Sequence, residues 1–128
     1  MDDPLLDAET LRVDEDGRLW ELGRTPTSYA DIGGQYVGLV RVRADVAPTW
    51  PARYDALDPV GTYEGRDRDH MFMTAFLQLM IDDDVPVHAV TVDRGWLEVD
   101  TCEDLAVYTD LADRHALDAF VRLAELRP

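Results

Sequence analysis

The chain has 128 residues, and its 12 Lys+Arg against 27 Asp+Glu give a formal net charge of −15. With 46% hydrophobic and 30% charged residues, it carries enough apolar material for one globular domain over 1–128 and too little bias for wholesale disorder. Every basic residue is arginine, which excludes chemistry that needs a lysine ammonium, such as a Schiff base or a phosphate-loop lysine.

The acidic excess argues against nucleic acid as a partner, because that affinity comes largely from basic side chains neutralising phosphates. Apolar runs are short and interrupted by charge, far from the ~20 residues of a membrane span, and the acidic start lacks the basic region of a signal peptide. A cytoplasmic protein is expected. The one cysteine, Cys102, rules out an internal disulfide and a multi-thiolate metal site.

In chain order, residues 10–13 and 19–22 flank Asp14-Glu15-Asp16-Gly17, whose Asp-Gly pair predicts a β-hairpin. Residues 23–34 hold Pro26, Thr27, Ser28 and the Gly33-Gly34 pair and read as a long loop. A nearly continuous apolar run over 35–42 predicts a central strand covered on both faces. Gly38 inside it suggests close approach by another backbone or a ligand. Residues 44–69 yield one short helix, with Trp50, Tyr54 and Leu57 at helical spacing.

From His70 to Ile81 the apolar positions Phe72, Met73, Phe76, Leu77, Met80 and Ile81 fall on one helical face. The carboxylates Asp82-Asp83-Asp84 oppose the macrodipole at its end, and Pro86 prevents continuation. Residues 87–92 and 95–100 read as strands. Thr101 with Asp104 approximates a capping box for a helix that should bury Leu105, Tyr108 and Leu111. A last helix is expected over 117–126. Alternating helices and strands after an opening hairpin predict an α/β fold with a mixed sheet.

Candidate chemistry centres on Glu98 and Asp100, which share one face at period 2 and end a predicted strand, where a hard cation such as Mg²⁺ is commonly held. Solvated strand-end acids are the plain alternative. Arg24 in the polar loop suits a bidentate phosphate clamp, or is simply an exposed loop arginine. No histidine pair has metal-ligand spacing. The acids around Cys102 oppose activation of its thiol. Trp50, Tyr54 and Trp96 suit either an aromatic cage for a quaternary amine or core packing.

Several segments in order, Asp16-Gly17-Arg18 through Gly23-Arg24, Gly34-Gln35-Tyr36-Val37-Gly38-Leu39, Met73-Thr74 with Phe76-Leu77-Gln78, and Gly95-Trp96-Leu97-Glu98-Val99-Asp100-Thr101-Cys102-Glu103-Asp104-Leu105, resemble the C-terminal half of nucleoside-triphosphate transferases. The most similar branch holds the phosphocholine and aminoalkylphosphonate cytidylyltransferases, beside the sugar-phosphate nucleotidyltransferases. The resemblance implies part of a Rossmann-like α/β/α sandwich. It also implies Mg²⁺-dependent transfer of a nucleotidyl group to a phosphate or phosphonate acceptor, with pyrophosphate leaving. On that resemblance Asp100 matches the metal-binding aspartate, Glu98 a neighbouring polar contact and Gly38 the room for the acceptor. Arg24 stands where relatives have a phosphate-binding lysine.

The departures are as informative. A glycine-rich G-x-G-x-R loop, the lysine after it and a first metal-binding aspartate are missing, and Ala75 stands where relatives have an acid. The chain is therefore expected to resemble half an enzyme, inactive alone, either excised from a longer protein or working beside a partner chain that supplies the nucleotide-binding half. The alternative is a non-catalytic binding or regulatory module, a remnant that self-associates, with a homodimer expected because a truncated sheet exposes apolar edges.

Overall fold

The Asp14-to-Gly17 turn forms as its residues dictate in the computed structural model, which describes residues 8–121. Asp14 Oδ1 accepts the amides of Asp16 at 3.0 Å and Arg18 at 2.9 Å, and Gly17 takes the left-handed φ of +78° that such a turn needs. The turn joins β1 (Leu11–Val13) to β2 (Leu19–Leu22), antiparallel, with Leu11 opposite Leu22 and an irregularity between Arg12 and Val13. The described residues fall into two compact units divided after Val90.

In the first unit, the hairpin lies against α2 (Met73–Asp82). Leu19 and Leu22 from β2 and Ala75, Phe76, Leu77 and Met80 from α2 are buried, as the predicted helical face requires. Buried Gln78, 3% exposed, binds strand to helix: its Oε1 accepts the Leu22 amide at 2.7 Å, and its Nε2 donates to Asp82 Oδ1 at 2.8 Å. Gly23 lets the chain leave β2 close to α2, since a Cβ there would sit 2.6 Å from Thr74 Cβ, and its φ is +77°.

The C-terminus of α2 resolves the oddity of its three aspartates. Asp84 adopts φ +60°, and the amides of Asp84 and Val85 donate to the carbonyls of Ile81 and Met80 at 3.0 and 2.9 Å, closing a Schellman motif. Arg24, Arg53 and Arg18 lie 3.8, 3.0 and 3.8 Å from the carboxylates of Asp82, Asp83 and Asp84. Each opposing charge at that helix end therefore has a cation beside it. The short helix expected within 44–69 is α1 (Thr49–Asp55), whose Trp50 and Tyr54 meet the Phe76 ring edge-on at 5.7 and 6.2 Å.

In the second unit, α3 (Cys102–Asp113) begins as its capping box predicts. Thr101 Oγ1 accepts the Asp104 amide at 3.1 Å, and Asp104 Oδ2 accepts the Thr101 amide at 2.9 Å. The helix ends in a second Schellman closure, with His115 at φ +55° and the Ala116 amide on the Leu111 carbonyl at 2.8 Å.

The mixed sheet is where expectation and structure part. Among the described residues the sheet is two-stranded and antiparallel. Residues 35–42 and 95–100 form no strand, and 87–92 contribute one bridge, Arg18 with His88. The Leu19 amide reaches the Val87 carbonyl at 2.8 Å, and the Gly33 amide reaches Leu11 at 2.8 Å with a parallel bridge from Leu11 to Ile32. Both edges of the hairpin are therefore joined locally. A β-like pattern records fit to a pleated, half-buried surface, but a ladder needs a neighbouring chain on which to place its amides and carbonyls. α3 buries none of its residues, so the expected stripe of Leu105, Tyr108 and Leu111 is not buried. The last helix appears as a 3₁₀ turn, Leu117–Ala119; the rest of 117–126 extends past the described residues. No helix among the described residues is long and apolar enough to cross a membrane.

Candidate functional site

Arg24 is positioned by its backbone. Its amide donates to Thr10 Oγ1 at 3.1 Å, and its carbonyl accepts the Thr10 amide at 2.8 Å; Thr10 itself is 2% exposed. The guanidinium projects among three carboxylates: Glu21 at 3.5 Å, Glu64 at 3.7 Å and Asp82 at 3.8 Å. Glu64 is delivered there by a tight turn that the sequence reading missed. Tyr63 and Arg66 exchange both backbone bonds, at 2.7 and 3.1 Å, around Glu64 and Gly65 at φ +48° and +80°, the left-handed pair of a type I′ turn. These three separations are ion-pair rather than hydrogen-bond lengths. Among the described residues the guanidinium is thus held by charge rather than by short hydrogen bonds.

Behind Arg24, the strand residue Arg12 sits 3.3 Å from Glu21 and hydrogen-bonds Asp31. Asp31 also accepts the Thr27 amide and hydroxyl, each at 2.8 Å, and the Ser28 amide at 3.0 Å. Those bonds, with the Thr27 amide first, hold its carboxyl below the ordinary aspartate range. The loop carrying Arg24 is therefore fixed at both ends.

Gly38 takes φ +77°, and nothing lies within 4 Å of where its Cβ would be. No backbone approaches it among the described residues, so the left-handed conformation is what requires glycine there. Glu98 and Asp100 are exposed and lie in a stretch without regular structure before α3, so strand periodicity does not set their facing. The Asp100 amide is tied to Asp104 Oδ2 at 3.1 Å. Bonding to Thr101 and then to that amide keeps the Asp104 carboxyl below its ordinary range. Arg24 and Gly38 belong to the first unit and Glu98 and Asp100 to the second.

Among the described residues no three His, Cys, Asp or Glu side chains are grouped to hold a metal ion. Mg²⁺ commonly takes one or two carboxylates and completes its shell with substrate phosphates and water, so a solvent-facing Asp100 fits as one protein ligand. Other sequence candidates have local roles. His70 Nδ1 pairs with Asp67 Oδ1 at 2.8 Å beside a 3₁₀ turn, which holds the Asp67 carboxyl down. Cys102 is exposed.

The structure also supplies a cavity that the sequence only hinted at. Trp50 and Tyr54 on α1 face Phe72 and Phe76 across a space of about 380 Å³, with Asp55 and Arg68 among its walls. Trp96, grouped with Trp50 and Tyr54 in the aromatic-cage reading, lies in the second unit. Phe72 and Phe76 read as core positions by their helical period, but Phe72 precedes the helix and is half exposed.

Over 104 residues, 81% of this chain, the sequence is 36% identical to the CTP:phosphoglutamine cytidylyltransferase of Campylobacter jejuni, a match covering 41% of that protein. The chain thus spans about two fifths of the length of this curated relative. No family model and no solved structure matches.

Proposed function

We propose that this chain is the acceptor-binding part of a cytidylyltransferase-like nucleotidyltransferase. In the reaction, a phosphate or phosphonate oxygen of a small acceptor, such as phosphocholine or a phosphorylated amino acid, attacks the α-phosphorus of CTP and pyrophosphate leaves. The observation that carries the reading is the 36% identity over 104 residues to a cytidylyltransferase.

Arg24 holds the acceptor phosphate. Its three carboxylate neighbours stand at 3.5 Å or more, so a dianionic phosphate offering short bidentate bonds displaces weak partners for strong ones. Gly38 leaves open space for the acceptor, and Glu98 takes the place of a polar contact in the resemblance. Asp100 would hold Mg²⁺, which when bound offsets the charge that develops on the phosphates. With no lysine and no G-x-G-x-R loop in the sequence, the triphosphate cradle must come from residues other than these 128, in a partner chain or elsewhere in a longer polypeptide.

Pyrophosphate release from CTP, phosphocholine and Mg²⁺ tests this. Turnover by the 128 residues alone should be near background, and adding a polypeptide with the glycine-rich, lysine-bearing half should raise it by ~10²–10³ or more, the worth of a preorganised donor. Strong release by these residues alone would overturn the divided-site reading. A second reading, a non-catalytic self-associating module, is favoured by Leu39 at 74% and Val90 at 91% exposure. Micromolar dimerisation without any rescue of activity would select it.

A further inference from the structure

One of the carboxylates beside Arg24 is shared with a second arginine. Arg12 and Glu21 stand opposite each other across the hairpin, and Glu21 Oε1 lies 3.3 Å from Arg12 Nε while its Oε2 lies 3.5 Å from Arg24. Arg12 is fixed on several sides. Its Cζ stands 4.9 Å from the centre of the Trp20 ring, its Nη2 donates to Asp31, and its Nε is buried with no hydrogen bond among the described residues. The Glu21 carboxylate is the charge that offsets burial of that N–H, which ties the two side chains together. Asp31 depends less on Arg12, because it also accepts from Thr27 and Ser28. Arg24 faces Glu21, Glu64 and Asp82 with a single positive charge, an excess of negative charge that an incoming anion meets.

We propose that Arg12 is a positioning residue for the phosphate clamp, acting through Glu21: it neutralises and immobilises that carboxylate, which keeps Arg24 available to the acceptor phosphate. The proposal rests on the reading of Arg24 as that clamp. Without Arg12, Glu21 would turn its full charge on Arg24 and repel a dianion arriving beside it. With Arg12 present the carboxylate is divided between two guanidinium groups and is a weaker competitor than the phosphate, whose bidentate bonds Arg24 can then accommodate. Arg12 itself does not need to touch the acceptor.

The test is an NMR titration of the 128-residue chain with inorganic phosphate as the dianion, at constant ionic strength, with the Arg24 Cζ signal as reporter. Arg12→Gln should weaken phosphate binding ~10-fold, the order expected for one uncompensated charge a few ångströms away. Adding Glu21→Gln to Arg12→Gln should restore the parent affinity. Adding Glu15→Gln, at an exposed carboxylate in the hairpin turn, restores the net charge equally and should not rescue binding. Neither a loss of stability nor a change of net charge produces that pattern. Where Arg12→Gln does not fold, Glu21→Gln alone carries the test: it should bind phosphate more tightly than the parent, and equal or weaker binding would overturn the proposal. Equal affinity of the parent and Arg12→Gln, or equal rescue by the two second substitutions, with Arg24 still responding to phosphate, would overturn the role of Arg12 and leave the clamp standing. An Arg24 signal unmoved by phosphate in every protein would overturn the clamp and this proposal with it.

Discussion

Replacing Gly23 with alanine tests the packing of hairpin on helix most severely. Two separate costs arise. A Cβ at φ +77° carries the left-handed penalty of ~1–2 kcal/mol. It would also lie 2.6 Å from Thr74 Cβ and 2.7 Å from Thr74 Oγ1, on a helix residue that is itself buried, and overpacking of that kind costs ~1–3 kcal/mol. The sum is about 2–5 kcal/mol, so thermal unfolding followed by circular dichroism should show a midpoint lowered by roughly 10 °C or more, at ~4–8 °C per kcal/mol for a small domain. A double-mutant cycle separates the parts. Thr74→Gly removes the atoms that clash, so combining it with Gly23→Ala should recover the steric share and leave the backbone share. A Gly23→Ala protein melting within ~2 °C of the parent would refute the close approach of β2 and α2.

Gln78→Leu removes the acceptor of the Leu22 amide while keeping the volume, and should cost about 1–3 kcal/mol in urea unfolding, the penalty of a buried donor left without a partner; a neutral result would show that water or another group takes its place. Thr101→Ala should lower the stability of α3 by ~1 kcal/mol, seen as faster amide exchange in its first turn, and unchanged exchange would speak against the capping box. The depressed Asp31 carboxyl has a definite sign with pH. Because its folded pKa is below the ordinary 3.8, its contribution to stability is full above that value and is lost as pH falls through the folded pKa. Asp31→Asn should therefore destabilise at neutral pH, with the gap from the parent narrowing in acid. A gap of constant size from neutral to acid pH would contradict the network of Thr27, Ser28 and Arg12.

What the sequence disclosed follows the range of the interactions involved. The hairpin, α2 and the Thr101 start of α3 rest on contacts a few residues apart, an Asp-Gly turn, a helical stripe and a capping box, and all were legible. Residues 35–42 and 95–100 have strand composition but no ladder, because pairing depends on a neighbour that local pattern cannot supply. Arg24 could be singled out as an arginine in a polar loop, but the carboxylates of Glu21, Glu64 and Asp82 around it come from three separate segments. Glu64 in particular is brought in by a Glu-Gly turn with none of the Asn-Gly or Asp-Gly signal. The aromatic cavity was half legible: Trp50 and Tyr54 at helical spacing suggested a shared face, whereas Arg68 and Asp55 became wall groups only through the packing of α1 on the segment entering α2.

The role given to Asp100 is tested most directly by calorimetric titration of cytidine diphosphate choline, with and without Mg²⁺, into the parent chain and Asp100→Ala. The account predicts binding that requires Mg²⁺ in the parent and vanishes in the variant. Equal affinity in the two proteins, or binding indifferent to the ion, would contradict it.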